Sequence, residues 1–493
     1  MTKILLINPL LKPPFSLTKR EFNIPLGPLY VGSYLYQKEY EVKVMDVNNY
    51  KDPNHIFDLI KQEIKSTLCI GISAMTAQLP NAIQTCKFIR SLDTSIPIVL
   101  GGVHPTFYPQ QTVKSEYVDY VIMGEGEENF LNLIKTMEKN GNLKNVNGIA
   151  FKENGHIFVT QKSNKFIDLN EFSLKYDLLD IVNNLGMNKI SKFIEIPFQT
   201  SRGCPHRCTF CINSVTKNMT YRYRNTDLVL NDIEKLIEKK VKNIFFMDEN
   251  FFANPKRVKE IISSIIERGL EFEWFGNIRA DYFRKGYINH DLLKQIKNSG
   301  CIRVSIGAES GSQKILDMIK KDITVEDILR SAEMLSNVEI KCNYSFMIGL
   351  PKETLDDIKK TVQLMCKIKK IMPDCRFLGP QLYRPYPGSE LYNECLAYGF
   401  NEPNSLEEWA IKEENEVGNI CPENYPWLEV PFEIINSIIF YSLIGLSNLP
   451  DNIRYKPLKI LQTIAKLRCE KNFFDFPIEK KIFDIIIRKK LPH

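Results

Sequence analysis

From the N-terminus to about residue 140, short apolar runs alternate with longer stretches of helical period. Ile4–Asn8, Glu41–Asp46, Cys69–Ser73, Ile96–Gly101 and Tyr120–Met123 have the length and composition of buried strands, and Gly27–Glu39 and Leu79–Leu92 carry the helical period between them. This alternation predicts an α/β fold, a doubly wound five-stranded parallel sheet with helices on both faces. Ligands of such sheets sit beyond the carboxyl ends of the strands. The chain places small and polar residues at four of those ends: Asn8-Pro9, Ala74-Met75-Thr76, Gly101-Gly102-Val103-His104-Pro105 and Gly124-Glu125-Gly126-Glu127. Glycine turns there suit either a large flat ligand approached closely by backbone or plain tight turns. No Gly-x-Gly-x-x-Gly follows the first strand and no Gly-Lys-Ser/Thr loop occurs, which disfavours NAD and ATP.

Residues 141–190 read as a connector, with a small hairpin around Asn154-Gly155 and an Asp168-Leu-Asn-Glu loop. A second α/β series follows over 191–395. Its predicted strands are Glu195–Ser201, Asn243–Asp248, Glu273–Ile278, Arg303–Ala308, Ile340–Ile348 and Leu378–Tyr383, with helices at Leu228–Lys239, Pro255–Arg268, Asp291–Asn298, Val325–Ser336 and Leu355–Met372. Six βα units make a partial (β/α)6 barrel, whose site lies at the carboxyl ends of its strands. Over 396–493 the alternation is lost. Helical segments broken by Pro422, Pro426, Pro431 and Pro450 suggest a mostly helical C-terminal cap over the substrate.

A length of 493 residues implies two to four domains, and 44% hydrophobic with 25% charged residues is a globular composition, which excludes a lone binding module or a disordered chain. The charge-free stretch between Glu433 and Asp451 is interrupted by Asn436, Ser437, Ser442, Gly445 and Ser447, too polar for a membrane span. The N-terminus begins as a strand rather than a secretory signal, so a cytoplasmic protein is expected. A net charge of +6 is too balanced to mark a nucleic-acid binder. It is unevenly distributed, however: Arg454–His493 holds 11 Lys and Arg against 4 Asp and Glu. With Phe473, Phe474, Phe476 and Phe483, that tail suits peripheral contact with anionic lipid or an anionic partner, or else a solvated helix face.

Nine of the 12 cysteines are scattered singly (Cys69, Cys86, Cys301, Cys342, Cys366, Cys375, Cys395, Cys421 and Cys469) and read as small buried hydrophobes. The other three stand in Ser201-Arg-Gly-Cys204-Pro-His-Arg-Cys208-Thr-Phe-Cys211, directly after the first barrel strand. Thiols spaced C-x3-C-x2-C on one loop can converge on an iron–sulfur cluster. A four-iron cluster held by three cysteines keeps one iron free of protein ligands. Zinc would need a fourth ligand, and His206, inside the loop, is badly placed to fold back onto the same metal.

This loop resembles that of the radical S-adenosylmethionine (SAM) superfamily, in which three such cysteines hold a 4Fe-4S cluster whose unique iron chelates SAM. The resemblance assigns Cys204, Cys208 and Cys211 to the cluster and the aromatic Phe210 to the adenine. Phe246-Met-Asp248-Glu249, Trp274-Phe-Gly-Asn-Ile-Arg279 and Ser305-Ile-Gly-Ala-Glu309-Ser310 resemble later strands of the family, implying SAM contacts by Asp248, Arg279, Ser305 and Glu309. An internal ion pair is the structural alternative for Arg279 and Glu309. Phe346-Met-Ile-Gly349-Leu-Pro351-Lys-Glu and Tyr386-Pro-Gly-Ser389 complete the pattern.

The N-terminal sheet resembles the Rossmann-like cobalamin-binding domain that precedes the barrel in one branch of the superfamily. That likeness assigns Asn8, Pro9, Thr76, Gly101, Gly102, Val103, His104, Gly124, Glu125 and Gly126 to cobalamin contact. No Asp-x-His-x-x-Gly loop is present to ligate cobalt, so His104 is expected to bond a corrin amide or shape its turn. In the family, SAM cleavage gives a 5′-deoxyadenosyl radical, and methylcobalamin supplies a methyl group to the substrate radical. The implied function is C-methylation of an unactivated carbon on a small-molecule substrate that the sequence leaves unspecified, the apolar segment 434–446 and the basic tail pointing to a lipophilic one, with electrons from a flavodoxin or ferredoxin and no nucleic acid. Cyclase or ring-contraction chemistry uses the same parts, and a non-catalytic cobalamin sensor is a third reading. RNA methylthiotransfer would require three further N-terminal cysteines, and only Cys69 and Cys86 precede the cluster loop. No individual catalytic residue is assigned.

Overall fold

The structure, a computed structural model, describes residues 2–9, 24–49, 53–163, 165–213, 220–284, 286–416, 421–448 and 456–490. The chain forms two compact units. One comprises Met1–Phe198, Tyr223–Ile244 and Asn401–Cys421; the other comprises Gln199–Arg222, Phe245–Phe400 and Pro422–His493.

The first unit is built on β1 (Lys3–Asn8), β2 (Glu41–Asp46), β3 (Thr67–Ser73), β4 (Ile98–Gly101), β5 (Tyr120–Ile122), β6 (Ile149–Glu153) and β7 (His156–Val159), in the order β2-β1-β3-β4-β5-β6-β7. The first five run parallel, as their near-continuous apolar runs require of strands covered on both faces. The sheet has seven strands rather than five. The hairpin expected in the connector pairs antiparallel with β5, through Tyr120 opposite Phe151 and Val121 opposite Ala150. The physical reason lies at the edge: β5 would otherwise leave a row of unpaired backbone groups, and β6, with Ile149, Ala150 and Phe151 all buried, covers it. Helices Leu26–Gln37 and Leu79–Leu92 fall where the helical period placed them. The helix Leu406–Glu416, expected within the C-terminal cap, packs instead against Leu79–Leu92 in this first unit and buries Trp409.

A six-stranded sheet, most of it in the second unit, contains Ile196–Phe198, Asn243–Phe246, Glu273–Ile278, Cys301–Glu309, Lys341–Ile348 and Arg376–Leu382, side by side in chain order. Registers between the last four are parallel. Chain order with parallel pairing is the topology of successive βα units, as the partial barrel requires. Two of the intervening helices, Val325–Ser336 and Leu355–Ile371, start at Thr-x-x-Asp capping boxes: Thr324 and Thr354 accept from the Asp327 and Asp357 amides, whose carboxylates accept in return. Phe246, Phe251 and Trp274 pack face to face and tilted at 4.8–5.6 Å in the core. Helices Phe432–Gly445, Lys456–Lys471 and Ile478–Lys490 complete the unit; Pro450 lies outside the described residues. Among the described residues no helix is long and apolar enough to cross a membrane. Eight of the single cysteines are buried as expected, whereas Cys421 is exposed.

One buried carboxyl holds a barrel turn. Glu353 Oε2 accepts from the amides of Gly349 (2.6 Å) and Leu350 (3.1 Å), and Trp427 Nε1 donates to the Gly349 carbonyl at 2.8 Å. Burial pushes the Glu353 carboxyl up to about 8, against the pull of the two amides. Its acid form is therefore the one the fold favours: the stability it confers is complete below the ordinary glutamate range and is lost as pH rises through about 8. Glu353→Gln is expected to shrink the fall in melting temperature between pH 6 and pH 9; an unchanged fall would contradict this account.

Candidate functional site

The cysteine loop is anchored from behind by a buried carboxylate. Asp248 accepts from the Thr200 amide (2.6 Å), the Thr200 hydroxyl and the Ser201 hydroxyl (2.7 Å). Burial raises its pKa and the nearby Arg257 guanidinium opposes that rise; Arg257 also donates to the Thr200 carbonyl at 3.0 Å. The family resemblance implies a SAM contact for Asp248; in the structure its carboxylate has no exposed surface and accepts from three donors, all on Thr200 and Ser201 at the start of the loop. Its neighbour Glu249 accepts from the Gly203 amide at 3.1 Å. At the far end of the loop the Thr209 amide donates to Ile319 and the Leu391 amide to Thr209.

Between these anchors stand the three thiols, Cys208 buried and Cys204 and Cys211 half-buried. Asn250 Nδ2 donates to Cys204 Sγ (3.7 Å) and Arg279 Nη1 to Cys208 Sγ (3.8 Å). Burial raises the Cys204 and Cys211 thiols, and for Cys211 the neighbouring sulfurs add to the rise. His206 Nε2 lies 3.0 Å from the Tyr282 hydroxyl. Among the described residues, no three His, Cys, Asp or Glu side chains converge closely enough for a single metal ion.

Two cationic side chains lie beside the loop. Arg279 pairs with Asp281 (Nε to Oδ1, 2.9 Å) and also donates to the Lys321 carbonyl. Glu309, at the end of its strand with φ +63, accepts from Lys321 Nζ at 3.0 Å, and that ammonium stands 5.6 Å from the Phe210 ring centroid. Arg279 and Glu309 thus have separate partners rather than each other. Burial alone would lower the Lys321 pKa; the Glu309 carboxylate, together with the Cys208 sulfur, outweighs it and the net shift is upward. A side chain at Gly307 would begin 2.2 Å from Glu309 Oε1 and 2.7 Å from Lys321 Nζ, so it would have to push the pair aside. Ser305 sits in register between Asn277 and Asn343. Along the chain, nothing in Lys320-Lys321-Asp322 distinguishes a buried cation from a solvated one.

In the first unit the residues at the strand ends are joined by side-chain hydrogen bonds. Asn8 donates to Asp46 (2.9 Å), and Gln78 Nε2 donates to Asn8 Oδ1 (3.2 Å) and to the Pro9 carbonyl (3.0 Å). Thr76 Oγ1 lies 3.2 Å from His104 Nδ1, and the Gly124 amide donates to Thr106 Oγ1 at 2.9 Å. Gly101 pairs with Ser73, Val103 opens the short helix Val103–Phe107, and Glu125 precedes the helix begun by Gly126. His104 shapes its turn: its ring contacts Tyr108 and Trp409, both at 5.3 Å between centroids, and burial lowers its pKa to about 3, so it is neutral.

Two family models match the chain. Residues 20–134 match the model of the B12 binding domain and residues 198–365 that of the Radical SAM superfamily. An uncharacterised methyltransferase of Pyrococcus horikoshii is 30% identical over 408 residues, 80% of this chain and 83% of the relative. The chain belongs to the cobalamin-dependent radical SAM enzymes. Another relative, the anaerobic magnesium-protoporphyrin IX monomethyl ester cyclase of Rubrivivax gelatinosus, is 29% identical over 332 residues, 66% of this chain and 58% of the relative. The structure of TsrM, a radical SAM methyltransferase from Kitasatospora setae, with cobalamin and a [4Fe-4S] cluster, shares the fold at a TM-score of 0.65 and 14% identity, over 95% of this chain and 100% of that one.

A radical SAM enzyme of this branch uses a 4Fe-4S cluster, SAM and cobalamin. The residues present fit these groups. Three thiols on one anchored loop, with Asn250 and Arg279 donating to sulfur, suit an electron-rich cluster. On the first unit, His104 Nε2 is buried without a partner among the described residues, and none of their atoms lies within 4 Å of where a side chain at Gly124 would begin. An orphaned polar atom and open backbone at two strand ends of one sheet suit a broad ligand rimmed with amides.

Gly102 sets the spacing of this cradle. Its φ of +99 and ψ of −166 are essentially reserved for glycine, and a Cβ there would stand 2.8 Å from the Ala74 carbonyl oxygen. Gly102→Ala is expected to destabilise the protein by about 2 kcal/mol or more, read as a lower urea midpoint, and to lower the amount of corrin retained on gel filtration; wild-type values for both would refute the cradle.

Proposed function

We propose that this enzyme is a C-methyltransferase acting on an unactivated carbon of a small, lipophilic molecule, with electrons delivered by a flavodoxin or ferredoxin. The observation that carries the reading is the anchored three-thiol loop in the same chain as a B12-type sheet, in a protein alignable with the Pyrococcus methyltransferase over most of both lengths. When bound, the cofactors supply a hydrogen-abstracting radical and a transferable methyl group. The protein's part is to hold and aim them.

In this reading Cys204, Cys208 and Cys211 each bind one iron, and Asp248 fixes the loop through Thr200 and Ser201. Arg279, bonded to Cys208 Sγ, offsets negative charge on sulfur. Glu309 would receive the ammonium of SAM in exchange for Lys321, with Ser305 and Phe210 the other residues that would contact it, Phe210 at the adenine. In the first unit, the Asn8-Pro9, Thr76, Gly101–His104 and Gly124–Gly126 turns hold the corrin rim by backbone approach and by His104 Nε2. Glu309→Gln is expected to weaken SAM binding to the reconstituted enzyme about tenfold or more, measured by equilibrium dialysis; unchanged affinity would reassign Glu309 to its ion pair with Lys321.

The cyclase relative favours one competing reading, ring formation without methyl transfer. Labelling separates the two. Cells fed methyl-deuterated methionine, with and without the gene, are expected to differ in a metabolite carrying the deuterated methyl group, as read by mass spectrometry. A gene-dependent product without label would favour the cyclase. Cys208→Ala should abolish 5′-deoxyadenosine release under strong reductant while corrin absorbance persists, and cleavage by that variant would sink both enzyme readings.

A further inference from the structure

The C-terminal helices present a surface that the cofactor chemistry does not use. Lys456–Lys471 buries Ala465 and Cys469, while Ile460 and Leu467, seven positions apart and so on one face, point to solvent. The turn after this helix adds the exposed Phe473 and Phe476, and Ile478–Lys490 adds Ile478 and Ile482, four apart. Exposure is 76% at Phe476, 61% at Ile478 and 60% at Ile460. Six large apolar side chains face water between Ile460 and Ile482, a density unlike the isolated exposed residues common on any surface.

The turn is held in shape. The Arg468 guanidinium donates to the carbonyls of Phe473 (3.3 Å), Asp475 (3.0 Å) and Phe476 (3.1 Å) and to the Glu479 carboxylate (2.8 Å), which also accepts from the Tyr441 hydroxyl at 2.8 Å. Phe476 adopts φ +51, a costly conformation for an aromatic residue. Phe474, two positions earlier, is buried against Tyr441. The fold therefore sends one phenylalanine inward and, with five charged or polar bonds around Arg468 and Glu479, keeps another pointing out.

Charge selects the occupant. Lys459, Lys466, Lys471 and Lys481 are exposed on the same hairpin, and Arg454–His493 carries seven more basic than acidic side chains. Of the acids, Glu479 is paired with Arg468 and Asp484 with Lys480. A second copy would bring the same positive charge against it. An anionic bilayer attracts the lysines and admits projecting phenyl and isoleucine tips. We infer that this hairpin docks the enzyme on an anionic lipid surface, with Phe476 as the inserted side chain.

The test uses the full chain, purified anaerobically, sedimented with vesicles of phosphatidylcholine with or without phosphatidylglycerol. Binding is expected only with phosphatidylglycerol and should fall steeply with salt. Lys471→Gln and Lys481→Gln should each weaken it roughly fivefold. Phe476→Gly, which relieves the backbone conformation and so keeps or raises the melting temperature, should weaken it roughly tenfold. Three results would overturn the inference: no sedimentation with either vesicle, equal sedimentation with both, or wild-type binding by Phe476→Gly. A two-chain species in sedimentation velocity that Phe476→Gly dissociates would also overturn it, assigning the face to self-association.

Discussion

The site depends on one buried carboxylate. Asp248 gathers two hydroxyls and an amide from Thr200 and Ser201, and Arg257 closes the arrangement from the Thr200 carbonyl. A carboxylate in such a place is costly unless each of its oxygens is satisfied. Here they are, and the result is a fixed origin for the eight-residue span from Cys204 to Cys211. A flexible loop with the same cysteines would have to lose conformational entropy on binding iron; this one has already been ordered by folding.

Around that origin the electrostatics run in one direction. Arg279 reaches Cys208, its carbonyl partner is Lys321, and the Lys321 ammonium lies over Phe210. Buried thiols resist ionisation by themselves, as the raised Cys204 and Cys211 show. Cations and an amide donor placed at the sulfurs work against that resistance and favour thiolate in the metal-bound form. The Glu309–Lys321 pair fits because Gly307 leaves it space, which explains why Ser-Ile-Gly-Ala-Glu carries its glycine where it does.

Much of this was legible in the chain, for a physical reason. Parallel strands are buried on both faces, so their apolar runs stand out, and the helices Leu79–Leu92 and Val325–Ser336 were bounded by the same residues in sequence and structure. Thiol spacing revealed the cluster loop because cluster chemistry demands local ligands. What was illegible depended on distance along the chain. The hairpin Ile149–Val159 joins the sheet because β5 needs an edge partner, a fact absent from its own residues. Lys321 becomes a site residue only through Glu309 and Arg279. Asp248 was noticed as a carboxylate at a strand end, but its donors are 47 and 48 positions upstream, and without them its direction could not be read.

Trp409 closes over His104 and Tyr108, while Glu402 and Glu407 meet the hydroxyls of Tyr108 and Ser115. The consequence concerns the order of synthesis. The turns after β4 emerge from the ribosome some three hundred residues before the indole that covers them, so the nascent N-terminal sheet must wait with that aromatic face open until Asn401–Cys421 arrives. A fragment cut after the last strand of the sheet keeps its backbone pairing and lacks its lid. For this chain, the Rossmann-like half is a unit in space without being a segment of the gene.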